Sequence, residues 1–247
     1  MPELTRPYLP IRAGAALPRL RLFCFPHAGG AASAYRRWLR DVPDGVEILP
    51  VQLPGRENRL AETPHTDLAT LVDELADALA AHLCVPYALV GNSLGALVAT
   101  ELARELARRD APAPAHLVVA AAPPDVRRDL APVAGLPDAA LIAAIHDRHG
   151  GIPVDLAADP AFAQFIVTPL RADMTLVESC RPAAAPVLGC PLTAFVGDRD
   201  TTVDLADLQG WRAVSTGAFV AHELTGDHFA LLHHRDRVLA AVSTTRG

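Results

Sequence analysis

The segment Tyr87-Ala-Leu-Val-Gly-Asn-Ser-Leu-Gly95 decides the fold class of this chain. Its first four residues are apolar, as in a short buried strand, and residues 96–108 have helix-forming composition throughout. Between the two lies Gly91-Asn-Ser-Leu-Gly95, which matches the pattern G-x-S-x-G. On a sharp strand-to-helix turn, this pattern holds the serine in a strained conformation with its hydroxyl clear of the sheet. The segment therefore predicts an α/β protein in which Ser93 is a candidate nucleophile.

Strand patterns and helical patterns alternate along the rest of the chain. Apolar or alternating runs predict strands at 19–25, 46–51, 116–121, 192–196 and 219–224, and helical patterns occur at 33–40, 67–83 and 235–242. Alternation of this kind favours a mostly parallel central sheet with helices on both faces. A length of 247 residues with 51% hydrophobic residues can form one large core, so we expect a single domain over residues 1–247.

The stretch 125–185 breaks this alternation. It contains helical patterns at 138–146 and 160–170 but no convincing strand. Because it follows the strand predicted at 116–121, we expect a helical insertion that caps the carboxyl edge of the sheet.

The composition argues against several classes of chemistry. All 22 basic residues are arginine, so the chain has no lysine for a Schiff base, a lysine nucleophile or a Walker A phosphate loop. The four cysteines have no C-x-x-C spacing, which argues against a zinc ribbon, a redox pair or a disulfide framework. We expect no cofactor and no bound metal. A formal net charge of −6 gives no basic field, which argues against nucleic acid as a partner.

The N-terminal segment gives no sign of targeting to a membrane. It carries charges at Glu3, Arg6, Arg12 and Arg19, and it lacks an apolar run long enough for a signal peptide. No stretch of the chain approaches the roughly 20 uncharged residues of a membrane span. We therefore expect a soluble cytoplasmic protein with no membrane partner.

A serine nucleophile needs a base and an acid that orients the base. In this architecture the chain order is serine, then aspartate or glutamate, then histidine, with each residue on a loop after a strand. The strand predicted at 192–196 leads into Gly197-Asp-Arg-Asp200, which lies in the expected place for the acid. Spacing alone does not decide between Asp198 and Asp200, and either could instead cap a helix or brace the turn.

The candidate base lies on the next loop. The strand predicted at 219–224 leads into Thr225-Gly-Asp-His228. Of the ten histidines, His222 lies within that strand, and His233 and His234 lie beyond the loop near the last helix. His228 is therefore the best-placed base.

The chemistry also needs two backbone N–H groups that stabilise an oxyanion. One comes from the residue after the nucleophile, here Leu94, and the other from the loop after an early strand. The loop Phe25-Pro-His-Ala-Gly-Gly30 suits the second, because Gly29 and Gly30 let the backbone approach a substrate. We expect Ala28 to be its donor, and an ordinary glycine turn is the alternative.

Six segments carry a more specific signal than any one motif. In chain order they are Leu22-Phe-Cys-Phe-Pro-His-Ala-Gly-Gly30, Gln52-Leu-Pro-Gly-Arg-Glu57, Gly91-Asn-Ser-Leu-Gly-Ala96, Pro169-Leu-Arg-Ala-Asp173, Val196-Gly-Asp-Arg-Asp200 and Gly226-Asp-His-Phe229. Together they resemble the type II thioesterases that accompany modular polyketide and nonribosomal peptide synthetases. The resemblance extends almost from end to end, and it implies the α/β-hydrolase fold with a mobile helical lid at 125–185.

The resemblance also implies residue roles. It assigns Ser93 as the nucleophile, His228 as the base and Asp200, rather than Asp198, as the orienting acid. One position departs from the family pattern, because Asn92 precedes the serine where the family usually has histidine or another residue favoured by hydrolases. We expect activity to be retained, since this side chain points away from the reacting carbonyl in the usual elbow.

The implied substrate is an acyl group on the phosphopantetheine arm of an acyl or peptidyl carrier protein, removed when it is stalled or mis-primed. Carrier proteins are usually acidic, and this chain is acidic too, so docking would rely on local arginine pairs. The candidates are Arg36-Arg37 and Arg127-Arg128, although both pairs are equally compatible with solvated faces.

Two alternatives stay open at the level of sequence. The same three residues could serve a carboxylesterase or lipase that cleaves oxygen esters. A catalytically inactive hydrolase-fold protein that only binds a synthetase is the other alternative, and the presence of every expected catalytic residue type argues against it.

Overall fold

The computed structural model describes residues 5–124, 131–152, 160–180 and 187–243. Its seven strands form one sheet and are β1 (Ala13–Gly14), β2 (Leu20–Phe25), β3 (Val46–Pro50), β4 (Tyr87–Asn92), β5 (His116–Ala120), β6 (Leu192–Gly197) and β7 (Phe219–Leu224). Their order across the sheet is β1-β3-β2-β4-β5-β6-β7. Only the short β1 pairs antiparallel, against β3, and every other neighbouring pair is parallel. The predicted, mostly parallel sheet is confirmed.

Six α-helices and five 3₁₀ helices are described. The α-helices are α1 (Thr5–Tyr8), α2 (Leu68–Leu79), α3 (Leu94–Arg108), α4 (Asp138–His149), α5 (Pro160–Ser179) and α6 (Arg235–Ser243). The 3₁₀ helices are Ala32–Leu39, Glu57–Arg59, Ala80–His82, Asp207–Ala213 and Ala230–His233. The helix predicted at 33–40 is thus a 3₁₀ helix. None of the described helices is long and apolar enough to cross a membrane.

Both faces of the sheet are buried, and β2 shows this most directly. Phe23 and Phe25 belong to the core that packs against α2 and α3. Leu22 and Cys24 point to the opposite face, where they pack with Tyr35 and the other residues of a second core. Because side chains alternate along a strand, an almost wholly apolar strand must be covered on both sides. The sequence pattern of this strand therefore places it in the interior of the sheet.

The segment between β5 and β6 contains α4 and α5, as the helical patterns predict. These helices share a third apolar cluster, made of Val133, Leu141, Ile145, Leu170 and Met174. Within 131–152 and 160–180 the structure has no strand. The rest of the predicted insertion at 125–185 lies outside the described residues, and its extent, the single-domain boundary and the motion of a lid stay predictions.

The junction between β4 and α3 depends on two positions without side chains. A Cβ atom added to Gly91 would lie 2.0 Å from the carbonyl oxygen of Gly95. A Cβ atom added to Gly95 would lie 2.1 Å from the carbonyl oxygen of Phe25, at the end of β2. Backbone atoms at such distances cannot yield as a flexible side chain can. Glycine at both positions therefore lets α3 begin directly against the edge of the sheet.

We predict that Gly95→Ala lowers the free energy of unfolding by about 3 kcal/mol, because the added methyl group collides with backbone. Urea unfolding of the purified variant measures this change. Gly135→Ala is the matched control, since no described atom lies within 4 Å of its added Cβ atom. The control should change stability by less than about 1 kcal/mol. Equal effects of the two substitutions would contradict the steric argument.

Candidate active site

Ser93 lies at the turn between β4 and α3 with a backbone conformation that few non-glycine residues adopt. Its φ is 55° and its ψ is −117°. The Ser93 N–H donates to the carbonyl oxygen of Ala120, 2.8 Å away in the neighbouring strand β5. Strain of this kind persists only where the surrounding structure imposes it. The sharp turn that G-x-S-x-G predicts is thus present, and Ser93 is only partly buried.

The loops after β6 and β7 bring Asp200 and His228 together. Asp200 Oδ2 lies 2.8 Å from His228 Nδ1, and the two side chains are 1% and 5% exposed. The other carboxylate oxygen accepts from the backbone N–H and the hydroxyl of Thr202, at 2.9 and 2.8 Å. Burial raises the pKa of Asp200, but the hydrogen bonds to His228 and Thr202 outweigh it, so the pKa lies below its ordinary value. Asp200 is therefore a carboxylate at neutral pH.

An ionised carboxylate can only accept hydrogen bonds, so Nδ1 of His228 carries the proton in this pair. The basic lone pair then resides on Nε2, at the opposite edge of the ring. This atom is buried, and it has no hydrogen-bond partner among the described residues. His228 and Ser93 line the same cavity. The arrangement can take a proton from a group inside that cavity.

Asp198 has a different place in the structure. Its Oδ1 accepts from the N–H of Gly226 at 2.9 Å, and its side chain is 44% exposed beside Arg199. Asp198 thus braces the loop that leads to His228, while Asp200 contacts the imidazole. This is the distinction that spacing alone left open.

The two expected oxyanion donors belong to adjacent parts of the backbone. Leu94 is the first residue of α3, where N–H groups have no partner within the helix. Ala28 lies in the loop after β2, and both residues line the cavity together with Ser93. The same loop contacts the elbow closely, because a Cβ atom on Gly95 would lie 2.8 Å from the carbonyl oxygen of Pro26.

The cavity itself is mainly apolar. Its volume is about 130 Å³. Aliphatic side chains from four regions of the fold line it, namely Leu97 of α3, Ile145 of α4, Met174 and Val177 of α5, and Val203 after β6. An apolar cavity beside a strained serine suits an acyl chain better than a charged or sugar substrate.

Two further histidines lie at the site, and sequence analysis missed both. His149, the last residue of α4, stacks on His228 with ring centroids 4.2 Å apart. Burial, followed by the influence of His228, lowers the pKa of His149 to about 3 and that of His27 to about 4. His228 is therefore flanked by two neutral imidazoles. No local motif reveals this, since the contacts join segments that are far apart in the chain.

Asn92 also contacts the site, on the side away from the cavity. Its side chain is buried, and its Nδ2 donates to the backbone carbonyl of His228 at 3.3 Å. This residue thus connects the end of β4 to the loop that carries the candidate base. The contact explains how an asparagine can be accommodated before the serine.

Because His149 stays neutral in the folded chain, it should make the protein sensitive to acid. Below pH 6.5 the unfolded chain binds a proton at this imidazole that the folded chain does not bind until about pH 3. Its contribution to stability is therefore complete above pH 6.5 and falls as the pH decreases. Between about pH 7.5 and pH 5 we expect the wild type to lose about 2 kcal/mol more than His149→Gln. Urea unfolding at both pH values measures this, and equal losses would contradict it.

The chain is similar to known proteins over most of its length. Residues 20–245 match the family described as Thioesterase domain. The chain is 36% identical over 228 residues to linear gramicidin dehydrogenase LgrE of Brevibacillus parabrevis. The matched stretch covers 91% of this chain and 86% of that protein.

Two solved structures superpose on nearly the whole chain. One is the thioesterase RedJ from the prodiginine biosynthetic pathway of Streptomyces coelicolor, with a TM-score of 0.83, 40% identity and coverage of 93% of this chain and 91% of that chain. The other is the type II thioesterase BorB from the borrelidin biosynthetic cluster, with a TM-score of 0.83, 32% identity and coverage of 94% of each chain. These likenesses confirm the α/β-hydrolase fold and the resemblance to type II thioesterases. The chain belongs to the thioesterase family.

Proposed function

We propose that this protein hydrolyses acyl thioesters on the phosphopantetheine arm of acyl or peptidyl carrier proteins, with Ser93, His228 and Asp200 as its catalytic triad. One observation carries the proposal. The 2.8 Å contact between Asp200 and His228 Nδ1 leaves the opposite ring nitrogen for a cavity that Ser93 also lines. The reaction would be an editing step in polyketide or nonribosomal peptide biosynthesis.

The first step is acylation of Ser93. His228 Nε2 takes the hydroxyl proton as Ser93 Oγ bonds to the thioester carbonyl carbon. Collapse of the tetrahedral intermediate breaks the carbon–sulfur bond, and the sulfur leaves as a thiol after it receives the proton from His228. Free thiols have a pKa near 8.5, so this leaving group needs less help from an acid than an amine or alkoxide does.

The second step is hydrolysis of the acyl-serine. His228 takes a proton from water as the water oxygen bonds to the ester carbonyl carbon. Collapse of this second tetrahedral intermediate breaks the bond between the carbonyl carbon and Ser93 Oγ, and His228 returns the proton to that oxygen. The products are a carboxylic acid and the free serine. Asp200 keeps its negative charge throughout, so it stabilises each transient imidazolium and holds the ring orientation.

Both steps create an oxyanion beside the α3 N-terminus. We assign the N–H groups of Ala28 and Leu94 as its donors. Loss of one such donor typically costs about 100- to 1,000-fold in rate, so the oxyanion term rivals general base catalysis. The neutral His149 and His27 add no competing positive charge to the site.

The names of the relatives support a place in such biosynthesis, since RedJ and BorB are named for prodiginine and borrelidin pathways. LgrE is named as a dehydrogenase. The present chain has no G-x-G sequence anywhere, so it lacks the glycine fingerprint of dinucleotide binding. We therefore assign it hydrolysis rather than hydride transfer.

Docking of an acidic carrier would use an exposed arginine pair. Arg36 and Arg37 are exposed, and Arg37 Nη1 lies 3.3 Å from His233 Nδ1. The second predicted pair, Arg127 and Arg128, lies outside the described residues. Repulsion between two acidic proteins is screened beyond about 8 Å at physiological ionic strength, so a local arginine pair can still attract a carrier.

We predict that Asp200→Asn lowers the kcat for thioester hydrolysis by about 1,000- to 10,000-fold, because asparagine cannot hold the required tautomer or offset the imidazolium charge. Asp198→Asn is the matched control two residues away, and it should change kcat by no more than about twofold. Steady-state release of thiol measures both. Equal loss in the two variants would contradict the assignment of Asp200.

We predict that the wild type removes acyl groups from a panel of acyl carrier proteins and that Ser93→Ala does not. Intact-mass analysis of the carriers measures the loss of each acyl group.

Arg36→Glu/Arg37→Glu should slow hydrolysis on carriers while leaving hydrolysis of a small N-acetylcysteamine thioester unaffected. A strong preference of the wild type for p-nitrophenyl esters over thioesters would instead favour the carboxylesterase alternative. Failure of a fluorophosphonate to label Ser93 would favour the inactive binding protein.

A further inference from the structure

A buried ion pair joins two segments that the proposed chemistry does not use. Arg56 Nη1 lies 2.6 Å from Asp173 Oδ2, and Arg56 Nη2 lies 2.8 Å from Asp173 Oδ1. The side chains are 6% and 1% exposed. Both residues belong to motifs of the thioesterase resemblance, Gln52-Leu-Pro-Gly-Arg-Glu57 and Pro169-Leu-Arg-Ala-Asp173. A bidentate arginine–carboxylate pair fixes orientation as well as distance.

This pair is bonded to the backbone of the loop that carries Ala28. Asp173 Oδ2 accepts from the N–H of Gly29 at 2.7 Å, and Arg56 Nη1 donates to the carbonyl oxygen of Gly30 at 3.1 Å. The Gly30 N–H closes the turn by donating to the carbonyl oxygen of His27 at 2.9 Å. Ala28 is thus held between anchored neighbours.

The loop needs such anchors, because its sequence gives it little rigidity of its own. Gly29 has a φ of 72°, and the adjacent Gly30 adds a second residue of high backbone freedom. Fixing each of these residues in one conformation has a large entropic cost. An oxyanion donor must nevertheless be held within about 0.5 Å of its productive position. External hydrogen bonds from the ion pair supply that precision.

Arg56 is itself fixed by its own segment. Its Nε donates to the carbonyl oxygen of Pro54, and its carbonyl oxygen accepts from Gln52 Nε2 at 3.0 Å. Gln52 Oε1 in turn accepts from the N–H of Ala32 at 2.8 Å, just beyond the loop. The guanidinium is therefore a rigid support for the carboxylate.

Stability alone does not account for the pair. Removing two charges from water is costly, and a buried ion pair is often no more stabilising than apolar residues of similar volume. Here the carboxylate directs one of its oxygens to a backbone N–H of the candidate oxyanion loop. The geometry suits a role in positioning.

Asp173 also connects this loop to the acyl cavity, because it lies on α5. One turn earlier on the same helix, Leu170 packs on the loop, where its Cδ1 lies 3.2 Å from a Cβ atom added to Gly29. Met174, the residue after Asp173, and Val177, one turn further along the helix, line the cavity. A single helix thus contacts both the acyl-binding space and the loop.

We propose that Asp173, held by Arg56, is a positioning residue that keeps the Ala28 N–H in its oxyanion-binding place and makes that place depend on the seating of α5. The inference rests on the proposed function. It predicts a defect in stabilisation of the tetrahedral intermediate, with binding of the substrate little changed.

The experiment uses the full chain and three variants. Asp173→Asn disrupts the pair, and the double variant Arg56→Met/Asp173→Leu removes both charges so that none is left buried and unpaired. Asp138→Asn is the matched control, because it weakens the exposed ion pair of Asp138 with Arg171 of α5. Arg171 donates hydrogen bonds to Ala134, Leu136 and Asp138. Thioester kcat and KM, the Ki of an alkylboronic acid and amide hydrogen exchange at Gly29 are measured for each.

In both pair variants we expect kcat to fall by about 100-fold, as for loss of one oxyanion donor. The boronate Ki should rise in parallel, because the tetrahedral boronate places an oxygen in the same hole, while KM stays within about threefold. Hydrogen exchange at Gly29 should accelerate. The control should match the wild type in all four measurements.

The alternative result is that the pair variants melt at lower temperature but retain the wild-type kcat, boronate Ki and Gly29 exchange at 20 °C. That result would show a structural role only and overturn this inference. If the double variant does not fold, Arg56→Lys replaces it, since lysine keeps the charge but cannot make the bidentate contact. A wild type without Ser93-dependent hydrolysis would overturn the proposed function. Hydrogen exchange at Gly29 would still test whether the ion pair holds the loop. Unchanged exchange in the pair variants overturns the inference in either case.

Discussion

The close approach of the backbones of β2, β4 and α3 at Gly91 and Gly95 is the constraint on which the rest of this structure depends. Neither glycine position has room for a single methyl group, because carbonyl oxygens of the elbow and of β2 occupy that space. The turn that this approach permits holds Ser93 at a positive φ and begins α3 at Leu94. The Ser93 hydroxyl therefore lies next to an N–H group that has no partner within the helix. The parallel sheet then brings the loops after β2, β6 and β7 to the same edge.

Burial sets the charge state of that edge. Removal from water keeps His27 and His149 neutral, and hydrogen bonds keep Asp200 ionised against the same effect. The site therefore has a negative charge next to the candidate base, and the His27 and His149 rings near it are neutral. In the proposed reaction, transient positive charge on His228 would be stabilised by Asp200, without competition from a second protonated imidazole.

The helix α5 contributes to the site in two ways. Met174 and Val177 form part of the cavity wall, and Asp173 accepts directly from the Gly29 N–H of the loop after β2 while it pairs with Arg56. The proposed positioning role of Asp173 would thus couple occupation of the cavity to the geometry of the loop.

The sequence by itself determined the α/β class, six of the seven strands and the strained serine turn, because these depend on local periodicity and on glycine spacing of a few residues. It also reduced the candidate base to His228 by position in the chain. Only the tertiary structure decided that Asp200 contacts this ring while Asp198 braces a turn, that His149 stacks on it, and that Arg56 reaches Asp173. The edge strand β1 was missed because a strand of two residues is too short to show a hydrophobic pattern. Contacts between segments far apart in sequence follow from packing of the whole chain, and no local pattern encodes them.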